Sequence, residues 1–382
     1  MRLKGKKIAL CVTGSVAAII SPQIARELMR SGAKVTAYMS DGALDIIHKN
    51  TMEFATGRGV VTKLTGRVEH LEKFDLILIA PATANTIGKI AFGVADTPVT
   101  SLVMASDAPV LIAPAMDEGM WNNKILKQNI EMLRSIGYGF IEPKLEEKKA
   151  KLADISDVVD GVISALAKKD CVGKKVVVTA GPTIEYIDPI RIITNKSSGK
   201  MGIAIAREAY FRGAEVRLIY GPGTARVPTY IDVVHVETSG EMLKAAKSEI
   251  ARCDIFISAA AVSDFTPKVA KKKIETEKGD LALNLTPTPK ILNSVKGSQA
   301  FKVGFKALHD VSEKELTAAA KKSMQKYKLD MVVANDVSKG TFGSDENDVY
   351  IVYGKGKPTH IKDTKEEIAK HIFDKIKKGK IT

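Results

Sequence analysis

Cysteine is scarce in this 382-residue chain, with only Cys11, Cys171 and Cys253, far apart in sequence. That excludes both a disulfide framework and a clustered Cys-rich zinc site. Aromatic residues make up 5% with a single Trp, and no basic–aromatic interleaving of the kind that stacks bases is present, which argues against nucleic acid as the partner. Long apolar runs are missing too. The longest, such as Leu76–Ala82, are strand-sized, far below the roughly 20 residues that span a bilayer, so no membrane association is expected. Residues 1–7 lead straight into an apolar segment without a small-residue cleavage site, and a cytoplasmic location is expected. The Gly-x-Gly-x-x-Gly fingerprint is absent, since neither Thr13-Gly14-Ser15 nor Gly221-Pro222-Gly223 completes it, which weighs against nicotinamide binding. Ser198-Gly199-Lys200-Met201 fails as a P-loop, because Met201 replaces the metal-binding hydroxyl and Thr194 stands where the first glycine belongs.

What remains is an ordinary globular balance, 45% hydrophobic and 27% charged. At roughly 150 residues per domain, the length implies two or three domains. Lys plus Arg number 58 against 44 for Asp plus Glu, a formal charge of +14. With nucleic acid and membrane disfavoured, phosphorylated small molecules are the partners that best suit this excess.

The chain says the same thing twice. Gly5-Lys6-Lys7-Ile8-Ala9-Leu10 leads into Val12-Thr13-Gly14-Ser15, and Gly173-Lys174-Lys175-Val176-Val177-Val178 leads into Thr179-Ala180-Gly181-Pro182. Each reads as a buried strand ending in a glycine turn. Gly32 and Gly213 then mark helix C-termini before second strands. Phe74-Asp75-Leu76-Ile77-Leu78-Ile79-Ala80 is echoed by Cys253-Asp254-Ile255-Phe256-Ile257-Ser258-Ala259 as a third strand. Helical patterns over 22–30 and 202–211 between strands indicate right-handed crossovers. The expected fold is therefore α/β, two doubly wound, Rossmann-like domains with mostly parallel sheets, covering 1–170 and 171–382. Segment 142–153 is charged and low in apolar content, and 154–167 has helical spacing. Ligands belong at the carboxyl ends of the strands, in the loops at 13–15, 39–42, 80–86, 114–122, 179–202 and 258–274.

Those loops carry suitable chemistry. Gly14 and Ser15 suit an anion, although a plain strand-to-helix turn explains them equally well. Ala80-Pro81-Ala82-Thr83-Ala84-Asn85-Thr86 lets a flat ligand approach the main chain beside three polar side chains. Met116, Met120 and Trp121 after Pro114-Ala115 suit packing as well as function. His70 is the natural general base of the first half; His48, His235, His309, His360 and His371 form no evident constellation. The stretch 180–202 reads as a long loop before a helix, and its Arg191, Asn195, Ser197 and Ser198 suit carboxylate and phosphate groups. Asp264, Lys268 and the run Lys271-Lys272-Lys273 would complement a triphosphate, although a lysine run is also an ordinary solvated loop.

Taken in order, Thr13-Gly14-Ser15, Ala80-Pro81-Ala82-Thr83-Ala84-Asn85 and Pro114-Ala115-Met116 resemble the FMN-dependent cysteine decarboxylases. Segment 179–202, Ala259-Ala260-Ala261-Val262-Ser263-Asp264 and Val333-Ala334-Asn335-Asp336-Val337-Ser338 resemble phosphopantothenate–cysteine ligases. Nearly the whole chain is covered by the resemblance to the family that fuses the two for coenzyme A biosynthesis. It implies that the C-terminal half activates 4'-phosphopantothenate with CTP and Mg2+, releasing pyrophosphate, and joins the acyl-cytidylate to cysteine. The N-terminal half would then decarboxylate phosphopantothenoylcysteine to 4'-phosphopantetheine with FMN as the electron sink. FMN would contact Gly14, Ser15, Ser40, Ala82, Thr83, Thr100, Ser101 and Met116, with His70 and Asp117 catalytic. In the ligase half the resemblance implies catalytic Asn195 and Arg191 and a nucleotide site of Ser258, Ala259, Ala260, Asp264, Lys273, Thr286, Pro287, Thr288, Pro289 and Phe305. Lys322 and Lys326, at i,i+4 spacing, would add phosphate contacts, with Lys328 a rival for the register. CTP against ATP stays open. The family also implies a homo-oligomer, with decarboxylase trimers and ligase dimers combined into particles as large as dodecamers.

Three departures stand out. His70 lies closer to its strand than the family's His. Asp117 replaces an Asn, and an ionised Asp only accepts hydrogen bonds, so it must be protonated or play a different part; buried beside the substrate carboxylate it would be a protonated donor. The family's flap cysteine has no counterpart in 142–153, and Cys11 lies inside a strand, so another acid or a distant cysteine must act. A non-catalytic, halotolerance-type flavoprotein is the reading that this absence favours, and the full ligase half opposes it.

Overall fold

The computed structural model describes residues 1–275, 279–339, 343–354 and 356–378. The chain forms two compact units, Met1–Lys168 and Lys169–Thr382.

In the first unit, β1 (Lys7–Val12), β2 (Lys34–Met39), β3 (Leu76–Ala82), β4 (Val110–Pro114) and β6 (Gly139–Phe140) make a parallel sheet in the order β2-β1-β3-β4-β6. Every residue of β3 is buried, as is all of β1 after Lys7. Central strands of a parallel sheet are covered on both faces, which is why they read as unbroken apolar runs. The helix Ser21–Arg30 stops at Ser31, and Gly32 follows with φ +102°, a backbone that only glycine adopts without strain. The charged stretch 142–153 is not a bare connector. Its β7 (Lys144–Glu146) and β8 (Lys149–Lys151) form a hairpin that extends β5 (Met116–Asp117) in the order β5-β8-β7, and helix Ile155–Leu166 follows.

In the second unit the large sheet runs β13 (Asp232–His235), β12 (Glu215–Tyr220), β9 (Lys175–Ala180), β14 (Ile255–Ser258), β17 (Phe301–Leu308), β18 (Met331–Asp336), β19 (Glu346–Tyr353), β20 (Thr359–Thr364). It is parallel through β18, and the last two strands are antiparallel. The two α/β halves therefore share local motifs but differ in winding. The first has the order 2-1-3-4-5 and the second, among its six parallel strands, 3-2-1-4-5-6. The stretch 180–202, expected as a long loop, contains a hairpin of β10 (Ile184–Tyr186) and β11 (Ile192–Thr194). Pairing satisfies the backbone of a segment too long to be left to solvent. A second hairpin joins β15 (Phe265–Pro267) to β16 (Leu285–Pro287). Among the described residues no helix is long and apolar enough to cross a membrane.

Candidate active sites at the two switch points

In the first unit the winding reverses between β1 and β3, and their carboxyl ends are stitched together by one side chain. Thr13 Oγ1 donates to the Pro81 carbonyl at 2.8 Å and accepts from the Thr83 N–H at 3.0 Å. Ser15 spends no hydroxyl on helix capping. Thr83 caps helix Ala84–Ala91 through the Thr86 N–H, and Thr97 and Thr100 close a capping box on helix Pro98–Ala105. These loops enclose a cavity of about 580 Å3 whose lining includes Gly14, Ser15, Ser40, Thr83, Thr100 and Met116. Two other expected cofactor residues are not on it. Ala82 is buried in β3, and Ser101 Oγ donates to the Ala95 carbonyl at 3.1 Å. An ion pair on the wall, Lys89 Nζ to Asp96 at 2.6 Å, went unseen in the sequence, because the two residues straddle a helix end without any periodic signal.

His70 sits in a short turn, Glu69–Leu71, packed against helix Pro98–Ala105. Tyr38 holds this turn, its hydroxyl donating to the Glu69 carbonyl at 2.7 Å. His70 Nδ1 is buried and has no hydrogen-bond partner among the described residues. The ring is not on the lining of the 580 Å3 cavity but beside the helix whose Thr100 is.

Asp117 is exposed, so the condition for a protonated donor, burial, is not met within this chain, and the other alternative, a different part, is left. Its Oδ1 accepts from the Gly119 N–H at 2.8 Å, capping the turn Glu118–Trp121. Asn and Asp serve this acceptor role alike. Of the cysteines, Cys11 is wholly buried within β1, off the cavity lining, and burial pushes its thiol far up. Cys171 and Cys253 belong to the second unit, each pushed up to about 11 by burial first.

The second unit reverses between β9 and β14, and these ends are also laced together. The Ala259 and Ala261 N–H groups donate to Thr179 and Gly181 carbonyls, and Ser263 N–H donates to Thr183 Oγ1 at 2.9 Å. Gly202 must be glycine here, since a Cβ would lie 2.3 Å from that of Ala180. Asn195 Nδ2 donates to both the Ala261 and Val262 carbonyls at 3.1 Å. A cavity of about 660 Å3 is lined by Asn195, Ser258, Ala260, Asp264, Phe305, Lys322 and Lys326, all expected, and by Lys196, Lys290 and Lys306, which were not. Lys290 is ion-paired with Asp264. Lys322 and Lys326 are on this lining, whereas Lys328, the C-cap of helix Glu313–Tyr327 with φ 52°, is off it.

Other expected residues lie elsewhere. Ala259 lines a neighbouring cavity of about 170 Å3 with Ser197, Ser198, Lys200 and Asn335. Lys200 is tied to Asp345 at 2.7 Å and to the Gly343 carbonyl, so it does not act as a P-loop lysine. Thr286 and Pro287 are in β16, where Thr286 Oγ1 donates to the Thr266 carbonyl; Thr288 N–H donates to the Asp264 carbonyl at 3.0 Å, and Pro289 follows. None of these four is on the lining of the 660 Å3 cavity. Lys273 is exposed, and Arg191 is held on buried Asp188, away from both cavities. Among the described residues no cluster of three or more His, Cys, Asp or Glu is gathered for a metal.

Two doubly wound units, one with a cofactor-sized cavity walled by hydroxyls and small residues and one with a lysine-rich cavity, define a two-site α/β enzyme. The flavoprotein family model matches residues 1–167, and that of the DNA/pantothenate metabolism flavoprotein C-terminal domain matches 171–380. The coenzyme A biosynthesis bifunctional protein CoaBC of Thermococcus kodakarensis is 49% identical, over 99% of this chain and 96% of that protein. That of Methanocaldococcus jannaschii is 41% identical over 98% and 94%. A crystal structure of the C-terminal domain of a CoaBC protein is 32% identical, covering 55% of this chain and 96% of that one, with a TM-score of 0.47. The chain belongs to the family of bifunctional coenzyme A biosynthesis proteins. It is a flavoprotein enzyme with decarboxylase and ligase activities.

Proposed function

We propose that the second unit ligates cysteine to 4'-phosphopantothenate and that the first unit, with FMN, decarboxylates the product to 4'-phosphopantetheine. The observation that carries the ligase assignment is the convergence of Lys196, Lys290, Lys306, Lys322 and Lys326 on one cavity at a switch point. Clustered ammonium groups suit the triphosphate of CTP, accompanied by Mg2+, better than any neutral substrate. Asn195, with both amide hydrogens spent on carbonyls, presents Oδ1 as an acceptor and fixes the loop beside which the acyl-cytidylate forms. Attack of the cysteine amine on that acyl group forms the amide and releases CMP, after pyrophosphate has left in the activation step.

In the first unit, the hydroxyl and glycine lining fits a flat phosphorylated cofactor, since Ser15 keeps its hydroxyl off the helix cap and Gly14 and Gly42 put bare main chain on the same wall. Gly14, Ser15 and Ser40 would hold the phosphate, and Thr83, Thr100 and Met116 the remainder. FMN, when bound, supplies the reversible electron acceptor that makes loss of the carboxylate possible. His70 is the base that takes the substrate proton, favoured by the unpartnered Nδ1. Its place off the single-chain cavity is consistent with sites completed in a homo-oligomer.

The test is one assay. Purified protein should be yellow, and with phosphopantothenate, cysteine and CTP it should release pyrophosphate and then carbon dioxide; ATP in place of CTP tests nucleotide choice. A protein that binds no FMN, or releases neither product, defeats the reading.

A further inference from the structure

Asp188 is the ionisable group least explained by either reaction. It lies in the loop 187–191 between β10 and β11 and is fully buried. Oδ1 accepts from the Ile190 and Arg191 N–H groups, each at 2.8 Å, which is an ordinary local turn. Oδ2 serves no local purpose. It accepts from Arg191 Nη1 at 2.5 Å and from the Ile274 N–H at 3.1 Å, a residue 86 positions along the chain. Arg191 Nη1 in turn donates to the Ile274 carbonyl at 3.1 Å, so both polar groups of that backbone are held by this pair. The Ala270 N–H donates to the Ile187 carbonyl at 2.9 Å. The segment bearing Lys271, Lys272 and Lys273 is thus pinned to the loop at both ends.

We infer that Asp188 is a positioning residue of the ligase, presetting the Arg191 guanidinium and the Lys271–Lys273 segment as one cationic rim for a phosphate-bearing substrate; this rests on the ligase reading above. Arg191 is one-third exposed, and its Nη2 and Nε have no partner among the described residues. Half of the fork is spent on orientation and the other half is left for an anion, so little rotamer freedom remains to be lost on binding. Four residues on, Asn195 lines the 660 Å3 cavity, about 13 Å away along an extended chain. The rim therefore stands at the reach of an elongated substrate whose other end occupies the cavity. The carboxylate stays charged while buried: burial pushes it up, but the N–H groups of Ile274, Arg191 and Ile190 and the Arg191 guanidinium outweigh that and hold it far below the usual range. At any working pH it remains a fixed anchor.

The experiment uses the full-length enzyme and measures KM for the nucleotide and for phosphopantothenate separately, with decarboxylation of preformed phosphopantothenoylcysteine as the control. Asp188→Asn should raise KM for one or both phosphorylated substrates about ten-fold, leave kcat within about two-fold and spare decarboxylation. The substrate whose KM rises identifies which phosphate the rim receives. In an Arg191→Ala background the same substitution should add little, because its effect acts through Arg191. Full additivity in that background, a loss confined to kcat, or unchanged KM values would overturn the inference. If Asp188→Asn abolishes cooperative unfolding of the ligase unit, Arg191→Lys decides: a lysine keeps the charge but not the fork, so it should bind as poorly as Arg191→Ala, and full affinity would overturn the proposal. Wild-type enzyme without any ligase turnover would instead sink the ligase reading itself, and the positioning role with it.

Discussion

Gly14 and Gly42 stand so close that a Cβ on Gly14 would lie 2.9 Å from the Gly42 carbonyl carbon. The turns after β1 and β2 pass backbone against backbone, and both residues line the 580 Å3 cavity. Gly14→Ala must push these turns apart, a strain costing about 1–3 kcal/mol. Flavin content should fall together with the melting temperature. Gly59→Ala, where nothing lies within 4 Å, should change neither. Full flavin loading with unaltered melting in Gly14→Ala would contradict the tight-approach account.

His70→Asn should keep the flavin, because the ring is off the cavity lining, and should slow decarboxylation about 10²–10⁴-fold. Absorbance of the bound flavin and carbon dioxide release separate the two effects. Undiminished release would remove His70 from the chemistry.

Asp117→Asn preserves a side-chain oxygen for the Gly119 N–H, so stability should stay within a few tenths of a kcal/mol, whereas Asp117→Ala should lose about 1 kcal/mol. Urea unfolding followed by flavin release reports both. Equal stability of the alanine and asparagine variants would show that the cap contributes nothing.

Lys322→Gln and Lys326→Gln should each raise the nucleotide KM about ten-fold, corresponding to roughly 1.4 kcal/mol, while Lys328→Gln should not. The first two line the cavity and the third caps the helix. Pyrophosphate release at varied CTP is the measurement, and a Lys328 effect equal to the others would count against the Lys322/Lys326 register.

Asp336 is held at about 2, below its ordinary 3.8, by the Ser338 N–H and hydroxyl first and then the Asp310 and Val311 N–H groups. A folded-state value depressed in this way stabilises above the ordinary value and loses that contribution as pH falls toward 2. Asp336→Asn should therefore unfold more easily than wild type at pH 7, with the gap closing between pH 3.8 and about 2. Denaturant midpoints across that range test it; a gap of constant size would refute the assignment.

Much of this was legible in sequence because it is local. Strand β3 was expected over 74–80 from its apolar run and is found two residues further along, at Leu76–Ala82, while Gly32 and Gly213 were readable from the turn chemistry of helix ends. Lys322 and Lys326 shared a face by helical spacing alone. The hairpin of β7 and β8 was hidden because its residues, Lys144 to Glu146 and Lys149 to Lys151, are mostly charged and carry neither apolar alternation nor a glycine turn; Glu147 and Lys148 take positive φ instead.

The sequence by itself determined the class of fold, the strand starts and the chemical character of each loop, since side-chain periodicity and turn residues act over a few positions. Tertiary structure alone decided which loops meet. Asn195 reaches Ala261, Arg191 and Asp188 reach Ile274, and Lys290, Lys306 and Lys326 face one cavity, although 66, 83 and 86 positions separate the first three pairs. Those meetings follow from strand order, 2-1-3 in one unit and 3-2-1-4 in the other. Strand order is set by how whole faces of the sheet are buried, and no short window of sequence carries that information.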